Sequence, residues 1–319
     1  MKGGKRYDLI SIGEAVIDLL PGKEKNELLY MPGGAPLNCC VMAARYGCRT
    51  GFCGKISSDF YGHVLKKVLK ENGIQYLCRN DSHDRDTTVT LVTLDENGER
   101  QFHFPRYIGA DWELSLEDID LGDVTDTHIL HFGLRSMLKP PISDTLDVML
   151  EAARKKGVIV SCDVNYRGDT QEEFQDGREK LLQRLPSIDI MKISREEALL
   201  LGGEDRIPEV MEKHGLILVV ETLGEDGAKC FYGGMIIYQQ GFSVRPVDTT
   251  GAGDAFWGAF LATLLEKNGN DGNLLNVKEN GIREAMLSGN TAASLTVRKK
   301  GAIAALPDRM MINTFLENV

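Results

Sequence analysis

The feature that most limits the fold of this chain is a repeated switch between two spacings of apolar residues. Five short apolar runs are typical of buried strands, at residues 9–12, 129–132, 158–162, 188–193 and 216–221. Each is followed by a window with helical spacing, and the windows with the clearest pattern lie at 36–46, 61–71, 143–156, 195–201, 252–267 and 282–297. Strands that alternate with helices form a mainly parallel sheet covered by helices. The sequence therefore predicts the α/β class.

One stretch, at about 86–105, departs from this alternation. Residues 88–94 and 101–104 are strand-like and flank Asn97-Gly98, a pair that tolerates the positive φ of a tight hairpin turn. We expect this hairpin to stand outside the parallel sheet. No repeat and no linker rich in Pro or Ser interrupts the chain, which favours one domain over residues 1–319 with a small β insertion.

The charge and the cysteines of the chain limit the partners and the cellular location that we expect. The chain has 37 Lys and Arg against 47 Asp and Glu, a net charge of −10, which disfavours nucleic acid and anionic membranes as partners. No apolar run approaches the roughly 20 residues of a membrane helix, and Glu14 and Asp18 interrupt any export signal. The seven cysteines show no C-x-x-C spacing and are predicted to be buried and unpaired. We expect a cytoplasmic protein.

The segment with the strongest chemical signal is 248–259, a turn of small residues that opens a long helix. Backbone amides of Gly251, Ala252 and Gly253 are expected to lack partners within the helix, so they can face an anion such as a phosphate. Asp254 lies in the first helical turn, where an acid is also an ordinary helix-start residue. The second acid, Asp248, and the two flanking glycines are not needed for capping, which favours a catalytic role for Asp254.

Two other nucleotide-binding classes do not fit the sequence. The stretch 51–56 has two residues between its glycines and no Ser or Thr after the lysine, so it is not a phosphate-binding P-loop. No G-x-G-x-x-G pattern follows the first strand, so a dinucleotide-binding oxidoreductase is not indicated either.

Several segments occur together in one order along nearly the whole chain: 13–18, 33–38, 43–47, 163–167, 192–197, 222–227 and 248–259. In this combination the sequence resembles the PfkB (ribokinase-like) carbohydrate kinase family, and within it the fructokinases and the 2-keto-3-deoxygluconate kinases. The resemblance implies a ribokinase-like fold, in which a central, mostly parallel sheet is flanked by helices and carries a small β-strand lid. The lid would be formed by about 14–32 and 86–110, and a homodimer through the lid is the implied assembly.

The resemblance also assigns roles around the reacting groups. Asp254 would take the proton of a sugar hydroxyl that attacks the γ-phosphate of ATP, while the amides of Gly251, Ala252 and Gly253 would stabilise the transferring group. Six further residues would bind the sugar, two of them as the arginines that distinguish substrates: Asp18, Gly33, Gly34, Asn38, Arg106 and Arg167.

The remaining implied residues bind the nucleotide and metal ions. The nucleotide residues are Lys192, Ser194, Thr222, Gly224, Gly227, Asn290 and Ala293. Glu197 would organise water around the Mg²⁺ of MgATP, and Ser194 with Glu197 is also a capping-box spacing. Asp248 and the carbonyl of Thr250 would hold a monovalent cation such as K⁺.

The substrate implied first is fructose, phosphorylated at its 6-hydroxyl, with 2-keto-3-deoxygluconate as the alternative. A carboxylate at Asp111 would disfavour an acidic sugar by like-charge repulsion, whereas Arg167 could pair with one. Residues 168–170 depart from the usual fructokinase continuation. A catalytically silent sugar-binding protein of the same fold is the third interpretation, and the presence of Asp254 with its glycines argues against it.

Overall fold

The computed structural model describes residues 4–318, apart from 23, 25, 95–99, 104–106, 169 and 269–276. Its strands are β1 (Tyr7–Ile12), β2 (Val16–Pro21), β3 (Leu28–Gly33), β4 (Thr50–Cys53), β5 (Gln75–Tyr76), β6 (Val89–Leu94), β7 (Arg100–His103), β8 (Thr127–Gly133), β9 (Ile159–Asp163), β10 (Ile190–Ser194), β11 (Leu218–Thr222), β12 (Gly227–Tyr232) and β13 (Met235–Gln240). Its α-helices are α1 (Ala35–Tyr46), α2 (Phe60–Glu71), α3 (Leu121–Val124), α4 (Ile142–Lys155), α5 (Gln171–Arg184), α6 (Ile207–His214), α7 (Ala252–Asn268), α8 (Glu279–Thr296) and α9 (Arg309–Glu317).

Among the described residues, the large sheet has nine strands in the order β13-β12-β11-β10-β9-β8-β1-β4-β5. The strands from β11 to β5 in this order are parallel, and the five predicted apolar runs are the adjacent strands β11, β10, β9, β8 and β1. The α/β prediction is confirmed. The expected helix after the run at 216–221 is wrong, because β11 continues into the antiparallel strands β12 and β13.

Both faces of the large sheet are covered, which explains why its strands are apolar without alternation. On one face, Leu9 and Ile129 pack in a cluster with residues of α1, α2, α7 and α8. On the other face, Ile10 and Leu130 pack with residues of α4, α5 and α6. The sheet is thus the middle layer of three.

The small sheet, in the part of the chain that the structure describes, has four strands in the order β3-β2-β6-β7. Strands β6 and β7 pair antiparallel, so the predicted hairpin is confirmed as a separate element, while its turn at Asn97-Gly98 lies outside the described residues. All four strands fall within the predicted lid segments except for Gly33, the last residue of β3. That glycine leads directly through Gly34 into α1.

Local signals in the sequence fix where several helices begin and end. Asp59 accepts a hydrogen bond from the amide of Gly62 (2.6 Å) and caps α2. The helix predicted at 195–201 is instead a 3₁₀ turn over Glu197–Leu201. Gly202 and Gly203 follow it with φ of 98° and 105°, conformations that a right-handed helix excludes, so the turn ends after five residues.

The seven cysteines are free thiols, as predicted, and six of them are buried while Cys48 is half-buried. Burial raises the pKa of most of these thiols, to about 12 for Cys40 and Cys48. In the part of the chain that the structure describes, no helix is both long and apolar enough to cross a membrane.

Candidate active site

The predicted site residues converge at one edge of the large sheet. The parallel strands β1, β8, β9, β10 and β11 are neighbours, so their carboxyl ends meet there, as in other open α/β sheets that bind ligands. In this order the strands lead into Glu14, Arg135, Asp163, Ser194 and Thr222. The amino end of α7 lies against this edge, because Gly253 contacts the Lys192 side chain of β10.

Asp254 lies in the first turn of α7 and is 8% exposed. One carboxylate oxygen, Oδ2, accepts a hydrogen bond of 2.7 Å from Nδ2 of Asn38. The amide oxygen of Asn38 is buried and has no hydrogen-bond partner among the described residues. A buried acceptor without a donor is uncommon in folded proteins, so a ligand hydroxyl beside Asp254 would satisfy it.

Two of the three amides predicted to be free at the start of α7 are free in the described residues. Neither Gly251 nor Gly253 donates its backbone N–H to an acceptor in the described residues, whereas the amide of Ala252 donates to the carbonyl of Thr249 (3.2 Å). The expectation of three free amides is therefore wrong for Ala252, because its N–H closes the turn. Gly251 has φ of +79°, and a Cβ there would lie 2.9 Å from that of Ala302, so the turn requires glycine.

A buried ion pair lies next to the same turn. The ammonium group of Lys192, on β10, donates to Oδ1 of Asp163 at the end of β9 (2.7 Å), and both side chains are almost fully buried. A Cβ on Gly253 would lie 3.1 Å from the Lys192 ammonium, so the lysine packs directly against the turn. The Lys192 ammonium and the free amide of Gly253 are thus close together, an arrangement that suits the binding of a phosphoryl group.

The environment of Asp254 shifts its acidity. Burial, helped by the charge of Asp163, raises the pKa of Asp254 to about 6, against the opposing effects of the Asn38 hydrogen bond, Lys192 and Arg167. Burial alone would lower the pKa of Lys192, but nearby carboxylates, led by Asp163, outweigh it and raise that pKa. At neutral pH the site therefore contains an ionised Asp254 that is a stronger base than an ordinary carboxylate.

Of the residues predicted to bind the sugar, Asn38 contacts Asp254 directly and Arg167 acts on it through its charge. A Cβ on Gly33 would lie 3.1 Å from Oδ2 of Asp18, so this carboxylate borders the glycine pair. Gly34 has φ of +113° and lies against the carbonyl of Glu14, which leaves no room for a side chain. Arg167 is exposed, and its charge reaches Asp254. Arg106 lies outside the described residues.

A second acidic group near the sugar residues was only partly foreseen. Asp111 is buried, accepts hydrogen bonds from Arg135 (2.7 Å for the shorter) and from the hydroxyl of Thr88, and Arg135 stacks on Trp112 at 4.3 Å. Its charge is thereby neutralised, so the expected repulsion of acidic sugars by Asp111 is wrong. Burial also raises the pKa of Glu14, which faces this cleft, to about 7.

The ends of β10 and β11 bring the predicted nucleotide residues together. Ser194 and Thr222 are paired in register, and the Thr222 hydroxyl donates to the carbonyl of Ile193 (3.3 Å). Glu197 accepts from the amides of Ser194 and Tyr166, both at 2.7 Å, and the Ser194 hydroxyl accepts from the Glu197 amide (3.2 Å). The capping-box prediction is confirmed.

The predicted adenine and glycine residues lie on the β11–β13 side of the sheet. Gly224 and Gly227 have φ of +63° and +106°, and Gly227 begins β12. The side-chain amide of Asn290, on α8, donates to the carbonyls of Gln239 (3.2 Å) and Gln240 (3.1 Å), so it ties α8 to β13. Ala293, three residues further along α8, is half-buried. The adenine role of both remains a prediction.

Asp248 holds the turn before α7 in place. Its Oδ1 accepts from the amide of Thr250 (2.9 Å) and its Oδ2 accepts from the amide of Gly301 (2.7 Å). This carboxylate thus links the α7 turn to the loop after α8. The described residues contain no cluster of three or more His, Cys, Asp and Glu that could hold a metal ion directly.

Sequence reasoning gave no role to Asp163, Arg135 or Ser161, all of which contact the site or its supports. Two signals were available. A lysine at 192 interrupts an otherwise apolar strand, and an aspartate at 163 ends the neighbouring one. A buried lysine requires a buried acid, and parallel neighbours bring such residues side by side.

Comparisons with known proteins identify similar chains over nearly the full length. The chain is 34% identical over 310 residues to fructokinase-2 of Zea mays, covering 94% of this chain and 91% of that one. It is 30% identical to probable fructokinase-4 of Arabidopsis thaliana, with 98% of each chain covered. A crystal structure of fructokinase from Xylella fastidiosa with bound ATP superposes with a TM-score of 0.86 at 25% identity, again with 98% of each chain covered.

A fructokinase of Vibrio cholerae O395, solved with fructose, ADP and calcium ion bound, gives a TM-score of 0.83 at 28% identity, covering 98% of this chain and 99% of that one. The sequence model of the family described as pfkB family carbohydrate kinase matches residues 7–309. This match covers every strand and the turn that carries Asp254. This match over nearly the full length, which includes the buried Asp254 and the free amides beside it, places the chain in the pfkB family of carbohydrate kinases.

Proposed function

We propose that the protein is an ATP-dependent fructokinase. The observation that carries the proposal is the position of Asp254, a buried carboxylate beside two free amides and the Lys192 ammonium. The 6-hydroxyl of fructose would transfer its proton to Asp254 while its oxygen forms a bond to the γ-phosphorus of ATP. The bond from that phosphorus to the β–γ bridging oxygen breaks, and ADP leaves.

The sugar would be held from two sides. Asp18 and the unpartnered amide oxygen of Asn38 accept hydrogen bonds from sugar hydroxyls, and Gly33 and Gly34 let the backbone approach the ring. Arg167, exposed at the same edge, would donate to the far end of the sugar, with Arg106 as the second arginine.

The nucleotide would lie over the ends of β10 and β11. Ser194, Thr222, Gly224 and Gly227 would contact its phosphates and ribose, and Asn290 and Ala293 would border the adenine. Lys192 would contact the transferring phosphoryl group.

Mg²⁺ bound to ATP would neutralise charge on the phosphates. Glu197 fits only an indirect contact to this ion, through water, because both of its oxygens already accept backbone amides. Asp248 and the Thr250 carbonyl would hold a monovalent cation such as K⁺. Such an ion would stabilise the link between the α7 turn and Gly301.

Fructose is preferred over 2-keto-3-deoxygluconate because the charged residues near the sugar site do not favour the binding of an acidic sugar. Asp18 and Asp254 are acids, and Arg135 is already paired with Asp111. Arg167 is the one predicted sugar ligand in the described residues that could pair with a substrate carboxylate.

The test is kcat/KM for fructose, ribose and 2-keto-3-deoxygluconate, measured side by side by ADP release. We expect fructose to exceed the acid by tenfold or more, and Arg167→Ala to change kcat/KM for fructose more than Arg6→Ala, a control at the opposite edge of the sheet. Tenfold preference for the acid would assign the protein as a keto-acid kinase. No ADP release with any sugar would favour the silent sugar-binding protein.

A homodimer through the small sheet is part of the proposal. Leu28, Tyr30 and Leu91 are 53%, 46% and 38% exposed on this sheet, and Tyr30 extends the patch by packing edge-on against Phe60. Exposed apolar surface of this kind is typical of interfaces. Analytical ultracentrifugation should give a dimer that Tyr30→Glu dissociates and Met310→Glu, on α9, does not. A monomeric wild type at micromolar concentration would contradict it.

A further inference from the structure

Three fully buried polar side chains form a chain of hydrogen bonds beneath the candidate active site. The indole N–H of Trp257, on α7, donates to the hydroxyl of Ser161 on β9 (3.0 Å), and the same hydroxyl lies 3.1 Å from Nδ1 of His131 on β8. Indole nitrogen can only donate, so the Ser161 hydroxyl accepts from Trp257. Burial lowers the pKa of His131 to about 4, so its ring is neutral at physiological pH.

These hydrogen bonds are connected to the catalytic groups through β9 and α7. Ser161 and Asp163 are two residues apart on β9, so both side chains lie on the same face of the strand. Asp163 holds Lys192, which packs against Gly253. Trp257 lies one helical turn beyond Gly253 and Asp254. The first two turns of α7 thus contact β9 at two positions. Trp257 bonds directly to Ser161, and Gly253 is linked to Asp163 through Lys192.

Apart from this hydrogen bond and the one from Asn38 to Asp254, α7 is held mainly by apolar packing. Its residues Ala255, Phe256, Ala259, Phe260 and Leu261 are buried and apolar. Apolar packing has no preferred direction, whereas a hydrogen bond weakens steeply away from a linear geometry. In a core of this kind a fully satisfied polar contact selects one arrangement of the helix. The Trp257–Ser161 hydrogen bond is such a contact, next to the turn that carries the reacting groups.

We infer that Ser161 is a positioning residue for phosphoryl transfer, which acts by fixing α7 through Trp257 so that Asp254 and the amides of Gly251 and Gly253 face the reacting atoms. The inference depends on the proposed kinase function. It predicts that loss of the hydrogen bond lowers turnover and leaves the binding of substrates nearly unchanged.

The experiment compares Ser161→Ala, Trp257→Phe and the double variant with wild type, using ADP release with fructose. We expect each single variant to lower kcat about tenfold, since small displacements of catalytic groups have effects of this order. KM for ATP and for fructose should change less than about twofold, because the ligand contacts remain. The double variant should be no slower than either single variant, because all three lack the same contact.

A matched control is available on the same helix. Thr263 of α7 carries a buried hydroxyl without a hydrogen-bond partner in the described residues. Thr263→Val should therefore keep wild-type kcat. The protein has two tryptophans, so its NMR spectrum has two indole N–H signals, and Ser161→Ala should shift one of them upfield.

The outcomes separate this inference from the proposed function. A wild type without kinase activity refutes the proposed function and with it the inference. An active wild type whose Ser161→Ala variant has a shifted indole signal but kcat within twofold refutes the inference alone. An equal loss of kcat in Thr263→Val, or a loss that appears in KM, would also refute it, because any disturbance of α7 would then suffice.

Discussion

Asp254→Asn should have two opposite effects, a large loss of activity and a gain in stability. The amide keeps the size of the side chain and can still accept a hydrogen bond from Asn38 through its oxygen. It cannot take a proton from the sugar, so kcat should fall by about 10²-fold or more, the usual contribution of a general base. ATP binding should be nearly unchanged.

The gain in stability follows from the burial of the carboxylate. Folding raises the pKa of Asp254 from 3.8 to about 6, so above pH 6 the folded state must hold a charge that the unfolded state ionises more easily. This rise in pKa lowers the free energy of unfolding by about 3 kcal/mol, at 1.36 kcal/mol per pKa unit. In a chain of 319 residues this raises Tm by about 4 °C. The difference should shrink as pH falls through 6 and vanish below about 4, where both states of the wild type are protonated.

Differential scanning calorimetry at pH 8 and pH 5, together with ADP-release kinetics, measures both effects. Asp176→Asn, on an exposed part of α5, is the control and should change neither Tm nor kcat. If Asp254→Asn has the same Tm as wild type at pH 8, burial does not raise the pKa of Asp254. If it keeps more than about half of the wild-type kcat, Asp254 is not the base.

Three further predictions concern pH, cations and the lid. The logarithm of kcat/KM should fall below about pH 6, because Asp254 must be ionised to act; Glu14→Gln should leave this limb in place, and its loss in that variant would assign the limb to Glu14. Activity should require Mg²⁺ and be higher in KCl than in NaCl at constant ionic strength, and equal rates in potassium, sodium and choline chloride would exclude a cation at Asp248. Amide hydrogen exchange in β2 and β6 should slow when fructose is added, as a mobile lid closes, and equal protection with and without sugar would contradict closure.

The fold could be predicted where burial determines the sequence. Strands such as β8 and β10 are covered on both faces, so apolar residues occupy successive positions in each, Ile129 and Leu130 in β8 and Ile190 and Met191 in β10. Strand β13 was missed because most of its residues, among them Met235 and Ile236, are exposed at the sheet edge. The helix predicted at 195–201 failed for a local reason, since the conformations of Gly202 and Gly203 stop it after one short turn.

The site could be predicted only where its residues are close in sequence. The turn at Asp254 places its acid and its amides within a few positions, so the pattern alone indicated an anion site. The Lys192–Asp163 pair joins residues 29 positions apart, and the Trp257–Ser161 hydrogen bond joins residues 96 apart. Such pairs depend on strand order. The same limit explains why Asp111 was misread, since its partner Arg135 lies 24 positions away, in the turn after β8.

The burial of six of the seven thiols, with Cys48 half-buried, also makes the protein a convenient host for chemical labelling. Alkylating reagents attack the thiolate, and burial together with a raised pKa keeps Cys40, Cys162 and Cys230 protonated and out of reach. A cysteine introduced at Met310, an exposed residue of α9, would react far faster than the native thiols. A single fluorophore or spin label could thus be attached there without first removing any natural cysteine.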